Sequence, residues 1–452
     1  MDINLQKHIQ EHLPQYIEDL KTLCRQPSVA AQNYGITDCA QLVVDMLSSI
    51  GFTATIMHTE DPRFPIVFAD HPGESKRELL FYNHYDVQPA EPLDLWDSPP
   101  FEPTERNGRI YARGVSDDKG HLIARIAALK AIKDVRGTLP CRVKFVVEGA
   151  EEIGSPGFGS FVHENRDLLT ADACIWEGGG VNWAGNPQIY LGLKGILYLE
   201  LEVRSASRDS HSSWATVVPN PAWRLIWALS SIKGDDENIL IDGFYENVIK
   251  PTNAELDAVK KLPAEEEELK AELNIANFLC DLDGLEFRKR HMFAPTCTIC
   301  GIESGYTGDG TKTVLPAVAK AKLDFRLVPN QRPEDILFKL RAHLDQNGFA
   351  DIKINYWDGV NPSRTSMESS FVDIVSKTAK DVYGKEALIT PGLAGSGPMY
   401  YISEGLGLPI ASSGVAFPDD KIHAPNENVR VEYFLKGILH AAAIIDEFSK
   451  DE

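Results

Sequence analysis

Several features are scarce in this 452-residue sequence. No apolar run is long enough to span a bilayer, and the amino terminus lacks the pattern of a secretory signal. The seven cysteines are odd in number and scattered, which is typical of reduced thiols, so we expect a cytoplasmic protein. Cys297 and Cys300 have CxxC spacing, but no second Cys/His pair accompanies them, and we expect structural cysteines.

Positive charge is also in short supply. The chain has 45 Lys and Arg against 66 Asp and Glu, for a net charge of -21. Such an excess of acid argues against nucleic acid and anionic membranes as partners. Hydrophobic residues make up 43%, enough for a sizeable core, and the length favours two domains.

Three common catalytic motifs are absent. The sequence has no glycine-rich phosphate loop, no GxSxG elbow and no HExxH helix. These absences exclude the simplest motif-based assignments to nucleotide binding, serine hydrolysis and single-zinc proteolysis. The chemistry must therefore be sought in other clusters of polar residues.

Apolar periodicity predicts an α/β fold with a mostly parallel sheet and helices on both faces. Strands are predicted at 79–82 and 143–147, and a helix at 121–132 lies between them. A smaller α+β domain over 194–361 is predicted to interrupt a domain formed by 1–193 and 362–452. Within the insertion we expect the acidic stretch 254–272 to form a solvated helical face. Further helices are predicted at 5–23, 37–50, 221–232, 333–343, 366–383 and 431–448, and further strands at 197–203 and 319–328.

Four polar clusters interrupt or follow these apolar elements, at 83–87, 114–120, 148–156 and 419–427, and Glu177 ends another strand. In a strand His84 and Asp86 point to one side, as an acid that orients an imidazole ligand does, although a partnered structural histidine fits equally. Asp117 and Asp118 precede a helix, so a simple helix cap is an alternative. The carboxylates at 148–152 are costly to desolvate unless a cation compensates them.

Imidazoles and carboxylates without cysteine favour zinc or manganese. Two such cations bridged by a carboxylate would share a water and lower its pKa. A remaining free carboxylate could move the proton from that water to a leaving nitrogen. The clusters therefore indicate a metal-dependent hydrolase of amide bonds.

The ordered clusters also resemble a known family, the M20 metallopeptidases. The matching patterns are HxDV at 84–87, GxSDDKG at 114–120, EGxEExGSP at 148–156 and a late histidine, His423. The dipeptidase branch, which includes carnosinase-like and cysteinylglycine dipeptidases, is the most similar. The resemblance implies two divalent metal ions per subunit, with Zn2+ foremost and Mn2+ or Co2+ as alternatives.

The resemblance also implies roles for individual residues. One metal would be bound by His84, Asp117 and Glu177, and the other by Asp117, Glu152 and His423. Glu151 matches the family's general base, and Asp86 matches the acid that fixes the ring of His84. The family commonly has a cis peptide after the bridging acid, here Asp117.

The inserted domain is implied to act as a lid and as the interface of a homodimer. His211 fits a lid histidine that reaches the neighbouring subunit's site, with an ordinary exposed loop histidine as the alternative. Arg326 fits the arginine that holds the substrate carboxylate, with a structural strand arginine as the alternative. Gly395 and Ser396 keep the core of the family's substrate loop, whose charged residues are missing here.

The resemblance implies hydrolysis of dipeptides or small peptides. An N-acyl-amino-acid amidohydrolase uses the same metals, water and base, and it stays open as the alternative. A binding protein on a peptidase fold is the third reading. Because such a protein is expected to have lost ligands or the base, the presence of Glu151 and of all five implied ligands speaks against it.

Overall fold

A computed structural model describes residues 2–450 as two compact units. The first unit extends to Gly192 and resumes at Arg364–Pro391 and from Gly397 onward, whereas the second comprises Leu193–Ser363 and Gly392–Ser396. No helix within 2–450 has both the length and the hydropathy of a membrane span. The architecture is mixed α/β with a mostly parallel central sheet, which confirms the predicted fold class.

The first stretch of the chain supplies most of the central sheet and its helices. Its helices are α1 Ile3–Arg25, α2 Ile36–Ser49, α3 Lys119–Arg136, α4 Phe158–Glu164 and α5 Arg166–Leu169. Its strands are β1 Thr53–Met57, β2 Ile66–His71, β3 Glu78–His84, β4 Thr104–Arg106, β5 Arg109–Tyr111, β6 Arg142–Glu148, β7 Ala173–Trp176, β8 Gly180–Val181, β9 Pro187–Tyr190 and β10 Gly192–Leu193.

The middle stretch carries its own sheet. Its strands are β11 Gly195–Arg204, β12 Ser210–His211, β13 Thr298–Ser304, β14 Val314–Leu315, β15 Val318–Leu327, β16 Lys353–Val360 and β17 Ser363–Arg364. Its helices are α6 Pro221–Ile232, α7 Asn253–Lys261, α8 Glu266–Leu273, α9 Gly284–Phe293 and α10 Pro333–Gln346. The closing stretch contains α11 Ser370–Tyr383, β18 Leu388–Thr390, α12 Met399–Leu406, β19 Ile410–Ser412, β20 Asn428–Arg430 and α13 Val431–Phe448.

The central sheet has the order β1-β2-β6-β3-β7-β19. Neighbouring strands from β6 to β19 pair in parallel. Strand β2 pairs antiparallel with both of its neighbours, β1 and β6. Strands β3, β6 and β7 are almost entirely buried, as strands covered on both faces are. Because parallel strands end at the same edge, the polar residues that follow them are brought together there.

The second unit contains the antiparallel sheet β13-β15-β11-β16. Alternate residues of β11 and β15 are buried against α6 and α10, and they form a core separate from that of the first unit. All seven cysteines are free. Cys297 is buried just before β13, and Cys300 is exposed within β13. Among the described residues, neither cysteine belongs to a group of metal-ligand side chains.

One prediction about the second unit is partly wrong. The acidic stretch forms two helices, α7 and α8, and not every carboxylate on them is solvated. Glu255 is only 4% exposed, because its side chain closes a capping box with Thr252. Glu266 is only 5% exposed and pairs with Arg288 at 3.0 Å. Local partners therefore bury two acids that charge patterning alone places in water.

Candidate metal centre

The carboxyl ends of β3, β6 and β7 place the first polar groups of the site. His84 is the last residue of β3 and lies beside Glu148, the last residue of β6. Glu177 directly follows β7. Asp117 and Asp118 come from the loop before α3, and the peptide bond between them is cis. Asp118 makes no side-chain cap to α3, so capping does not explain the acidic pair.

The Nε2 atom of His84 faces two carboxylates, and its Nδ1 atom contacts Asp86. Its Nε2 lies 3.0 Å from Oδ1 of Asp117 and 3.5 Å from Oε2 of Glu177. Its Nδ1 lies 3.0 Å from the backbone oxygen of Asp86 and 3.4 Å from the carboxylate of Asp86. The ring is 1% exposed, so its orientation is fixed by these neighbours.

His423 contacts the other carboxylate oxygen of Asp117. Its Nε2 lies 3.1 Å from Oδ2 of Asp117 and 3.1 Å from Oε2 of Glu152. The two oxygens of Asp117 thus point at two different imidazoles. This arrangement suits a carboxylate that bridges two cations.

Metal-ligand atoms converge in two groups of three. One group is His84, Asp118 and Glu177, and the other is Asp117, Glu152 and His423. Asp118 already accepts hydrogen bonds from Asn83 at 2.5 Å and from the backbone N–H of His84 at 3.1 Å. Its other oxygen lies 2.7 Å from Nδ1 of His121. The Oδ1 of Asp118 is buried without a hydrogen-bond partner among the described residues. Asp117, the predicted member of the first group, lies outside it, although its Oδ1 is 3.0 Å from Nε2 of His84.

The charge of the site calls for compensation. Oε1 of Glu152 and Oε2 of Glu177 are buried without a hydrogen bond. Burial raises the pKa of Glu177 well above its usual range. Burial opposes protonation of His84, but Glu177 and Asp117 hold its pKa well above the usual value. Hydrogen bonds to Asp117 and Glu152 raise the pKa of His423 to about 10. The buried carboxylates therefore favour positive charge at this position, and divalent cations would supply it.

Glu151 belongs to neither of these two groups, but it is close enough to His84 and Asp117 for their charges to affect its pKa. It begins the single helical turn 151–153 that follows β6. The backbone N–H groups of Glu151 and Glu152 each donate to the carboxylate of Asp86 at 3.1 Å. Burial raises the pKa of Glu151 to about 8. Asp86 thus positions this turn in addition to lying against the ring of His84.

Glu427 holds the loop that carries Asp117, a role that was not predicted. Its carboxylate accepts from the backbone N–H groups of Gly114, Ser116 and Asp117 at 2.9 to 3.1 Å. It also accepts from Arg113 at 2.8 Å, and both side chains of this pair are 1% exposed. The sequence offered only a weak signal, since Glu427 closes the fourth polar cluster.

The remaining predicted site residues lie in the second unit. His211 is exposed at the end of β12, and its Nδ1 accepts from the backbone N–H of Ser213 at 3.1 Å. Arg326 donates to the hydroxyl of Ser396 at 2.8 Å and lies 3.2 Å from Asp324. The carbonyl of Gly395 accepts from the backbone N–H of Lys194 at 2.9 Å. Arg326, Gly395 and Ser396 are thus brought together within one unit.

Comparison with known proteins decides the family. The sequence profile of peptidase family M20/M25/M40 matches residues 80–447. The chain belongs to peptidase family M20. It is similar to the Cys-Gly metallodipeptidase of Schizosaccharomyces pombe, with 30% identity over 83% of this chain and 81% of the relative. It is also similar to the Beta-Ala-His dipeptidase of Mus musculus, with 28% identity over 85% and 80%.

Solved structures of family members show the same fold. An M20 family metallo-carboxypeptidase from Sulfolobus solfataricus superposes with a TM-score of 0.90 at 37% identity, covering 96% of this chain and 99% of that one. The dipeptidase Dug1p of Saccharomyces cerevisiae superposes with a TM-score of 0.81 at 25% identity, covering 99% and 98%. The M20 chain described here is therefore a peptide-bond hydrolase of a metal-dependent family.

The substitution Glu427→Gln tests whether Glu427 stabilises the loop that carries Asp117. Glu427→Gln leaves Arg113 without its counter-ion and sets an amide against three backbone donors. We expect the free energy of unfolding to fall by about 3–5 kcal/mol and metal affinity to fall by roughly 10- to 100-fold. Denaturant unfolding and metal titration measure these quantities.

Glu432→Gln is the matched control, because Glu432 is exposed and pairs with its helix neighbour Lys436 on α13. We expect this control to change the free energy of unfolding by no more than about 0.5 kcal/mol. Equal behaviour of the two variants would contradict the role given to Glu427.

Proposed function

We propose that this M20 chain hydrolyses the amide bond of dipeptides or small peptides at a site for two divalent cations. The observation that carries the proposal is the position of Asp117 between His84 and His423, with Glu151 beside the pair. One cation would be held by His84, Asp117 and Glu177, and the other by Asp117, Glu152 and His423. Zn2+ suits this set of nitrogen and oxygen ligands, with Mn2+ and Co2+ as alternatives.

The two cations, when bound, would lower the pKa of a water between them and polarise the scissile carbonyl. The proton of this water is then transferred by a residue of the chain. Glu151 accepts it from the water and delivers it to the leaving nitrogen. Burial raises the proton affinity of Glu151, as the role of a base requires, and bound cations would offset part of this rise. Asp86 keeps the Glu151 turn in place.

The substrate class rests on the relatives and on the arginine of the second unit. Two relatives are named as dipeptidases, and a structural neighbour is named as a carboxypeptidase. We propose that Arg326 binds the free carboxylate of the substrate, together with Ser396 and the backbone of Gly395. The existing hydrogen bond from Arg326 to Ser396 supports a shared role. The side chain of Arg326 is 32% exposed, which leaves room for contact with a ligand.

The base is tested by Glu151→Gln. We expect turnover of a dipeptide to fall by roughly 10²–10⁴-fold or more, because the amide cannot accept the proton. Metal content should stay at the wild-type level, since Glu151 is not among the proposed ligands. Glu164→Gln is the control, because Glu164 is an exposed acid at the end of α4. Unchanged turnover in Glu151→Gln would remove Glu151 from the reaction.

The same assay separates the dipeptidase from the N-acyl-amino-acid amidohydrolase. A panel of dipeptides is compared with N-acetylated amino acids that share the same carboxyl-terminal residues. Hydrolysis of the dipeptides supports the proposal. Hydrolysis of the acetylated compounds alone shows that the dipeptidase assignment is wrong, and no loss of activity on metal removal would contradict the metal-dependent reaction.

We also propose that the second unit forms a homodimer interface and that His211 acts in the partner's site. Helix α6 leaves apolar side chains in water, with Trp223 57%, Ile226 41% and Trp227 56% exposed. Strand β13 is an edge of its sheet and exposes Ile299 and Ile302. Exposed apolar surface and an unpaired edge are both features of protein interfaces.

Mixing two inactive variants tests the exchange of His211 between subunits. In a heterodimer of the two variants, one subunit lacks His211 and the other lacks Glu151. If His211 acts in trans, the site of the His211→Ala subunit is complete, because it keeps its own Glu151 and receives His211 from the other subunit. After subunit exchange we expect on the order of a quarter of the wild-type rate. Each variant mixed with itself is the control. Heterodimers confirmed by tagging but without activity would refute action in trans.

A further inference from the structure

Gln88 contacts the candidate metal centre without belonging to either group of ligand side chains. It directly follows the polar cluster at 83–87 and is partly buried. Its side-chain amide donates to Oε2 of Glu152 at 2.8 Å and to the backbone oxygen of Glu152 at 3.2 Å. One uncharged side chain therefore holds a proposed cation ligand at two points.

These contacts determine which end of the Gln88 amide faces Glu152. An ionised carboxylate and a backbone carbonyl both accept hydrogen bonds, and neither of them donates. The NH2 end of the amide carries two donors and satisfies both acceptors, whereas the amide oxygen would face them without a donor. The orientation of the side chain is therefore fixed by its partners.

The backbone on both sides of Gln88 is held by the rest of the first unit. The N–H of Val87 donates to the backbone oxygen of Ser28 at 2.9 Å, and Val87 is 1% exposed. The carbonyl of Pro89 accepts from the guanidinium of Arg113 at 3.1 Å. Because both neighbours are held, the side chain of Gln88 extends from a defined starting point, as a residue that positions a ligand requires.

Glu152 is held through its backbone as well as through its carboxylate. Its N–H donates to Asp86 at 3.1 Å, and its side chain is 5% exposed. Oε2, the oxygen that accepts from Gln88, also lies 3.1 Å from Nε2 of His423. Oε1 is buried without a hydrogen bond among the described residues. The Gln88 contact thus fixes a carboxylate that faces His423 and keeps one oxygen unpartnered.

The second group of ligand side chains has the greater need for such a contact. His84, in the first group, is 1% exposed, so packing alone limits the movement of its ring. His423, in the second group, is 51% exposed and is less restrained by its neighbours. The geometry of the second group therefore depends more strongly on how Glu152 and Asp117 are held.

We propose that Gln88 is a positioning residue that aims the Glu152 carboxylate at the cation between Asp117 and His423. The inference rests on the proposed function, in which Asp117, Glu152 and His423 hold that cation. It deepens the proposed function, because it makes the affinity of one cation position depend on an uncharged residue outside both ligand sets. Hydrogen-bond partners that orient a metal ligand typically contribute roughly 10- to 100-fold to metal affinity.

The substitution Gln88→Met removes the amide donors at a similar side-chain length. Zn2+ is titrated into the metal-free protein, and crystals grown at limiting Zn2+ give anomalous peak heights beside His84 and beside His423. We expect the Zn2+ affinity of the second position to fall roughly 10- to 100-fold, and the peak beside His423 to weaken relative to the other. Gln15→Met is the matched control, because the exposed Gln15 amide donates to the carboxylate of Asp19 at 3.0 Å on α1.

A double-mutant cycle separates the positioning of Glu152 from a general effect on the fold. Glu152→Gln removes the carboxylate on which Gln88 acts. In that background we expect Gln88→Met to change the remaining Zn2+ affinity by less than about twofold. A similar loss of affinity in both backgrounds, or an equal weakening of both anomalous peaks, would overturn the inference.

Zinc binding by the wild type separates this inference from the proposed function. A wild-type protein that binds no Zn2+ would refute the proposed cation site and the role of Gln88 with it. Two Zn2+ ions bound with equal affinities by the wild type and by Gln88→Met would refute the role of Gln88 alone. The expected affinities in a protein that hydrolyses no dipeptide would support the role of Gln88 and refute the peptidase proposal.

Discussion

The structure of the first unit depends on how negative charge is compensated at one edge of a buried sheet. Carboxylates of Asp117, Glu152 and Glu177 converge there with two imidazoles, in surroundings that raise the pKa of Glu177. Without a counter-charge these carboxylates repel one another, and this repulsion favours their protonated forms. Divalent cations bound at these two groups would compensate the acids, and Glu151 belongs to neither group.

The protein around this edge is built to keep the groups in place. Arg125 is buried and donates to the backbone oxygens of Tyr82 and Trp176, near the ends of β3 and β7. Glu427 gathers three backbone N–H groups of the Asp117 loop. These contacts fix loops that strand geometry alone would leave free, and preorganised ligands bind metal more tightly.

Much of the fold follows from local patterns in the sequence. The predicted helices 221–232 and 431–448 have the observed bounds, because Asn220 caps the first helix and a continuous apolar face defines the second. The polar residues at the ends of β3, β6 and β7 were predicted as site residues because ionisable groups at the ends of apolar strands are costly to bury without a compensating charge. The role of Glu427 was not predicted, since its hydrogen-bond partners lie far away in the sequence. The burial of Glu266 likewise depends on Arg288 from another helix.

Asp117 is proposed to be shared between two cations. This sharing is tested by the metal content of purified protein after saturation and removal of excess metal, combined with anomalous diffraction. We expect two metal peaks per chain, one on each side of Asp117, and loss of both in Asp117→Asn. Asp381→Asn, an exposed position on α11, should retain both. Two cations still bound in Asp117→Asn, or metal peaks away from His84 and His423, would show that Asp117 is not shared between cations.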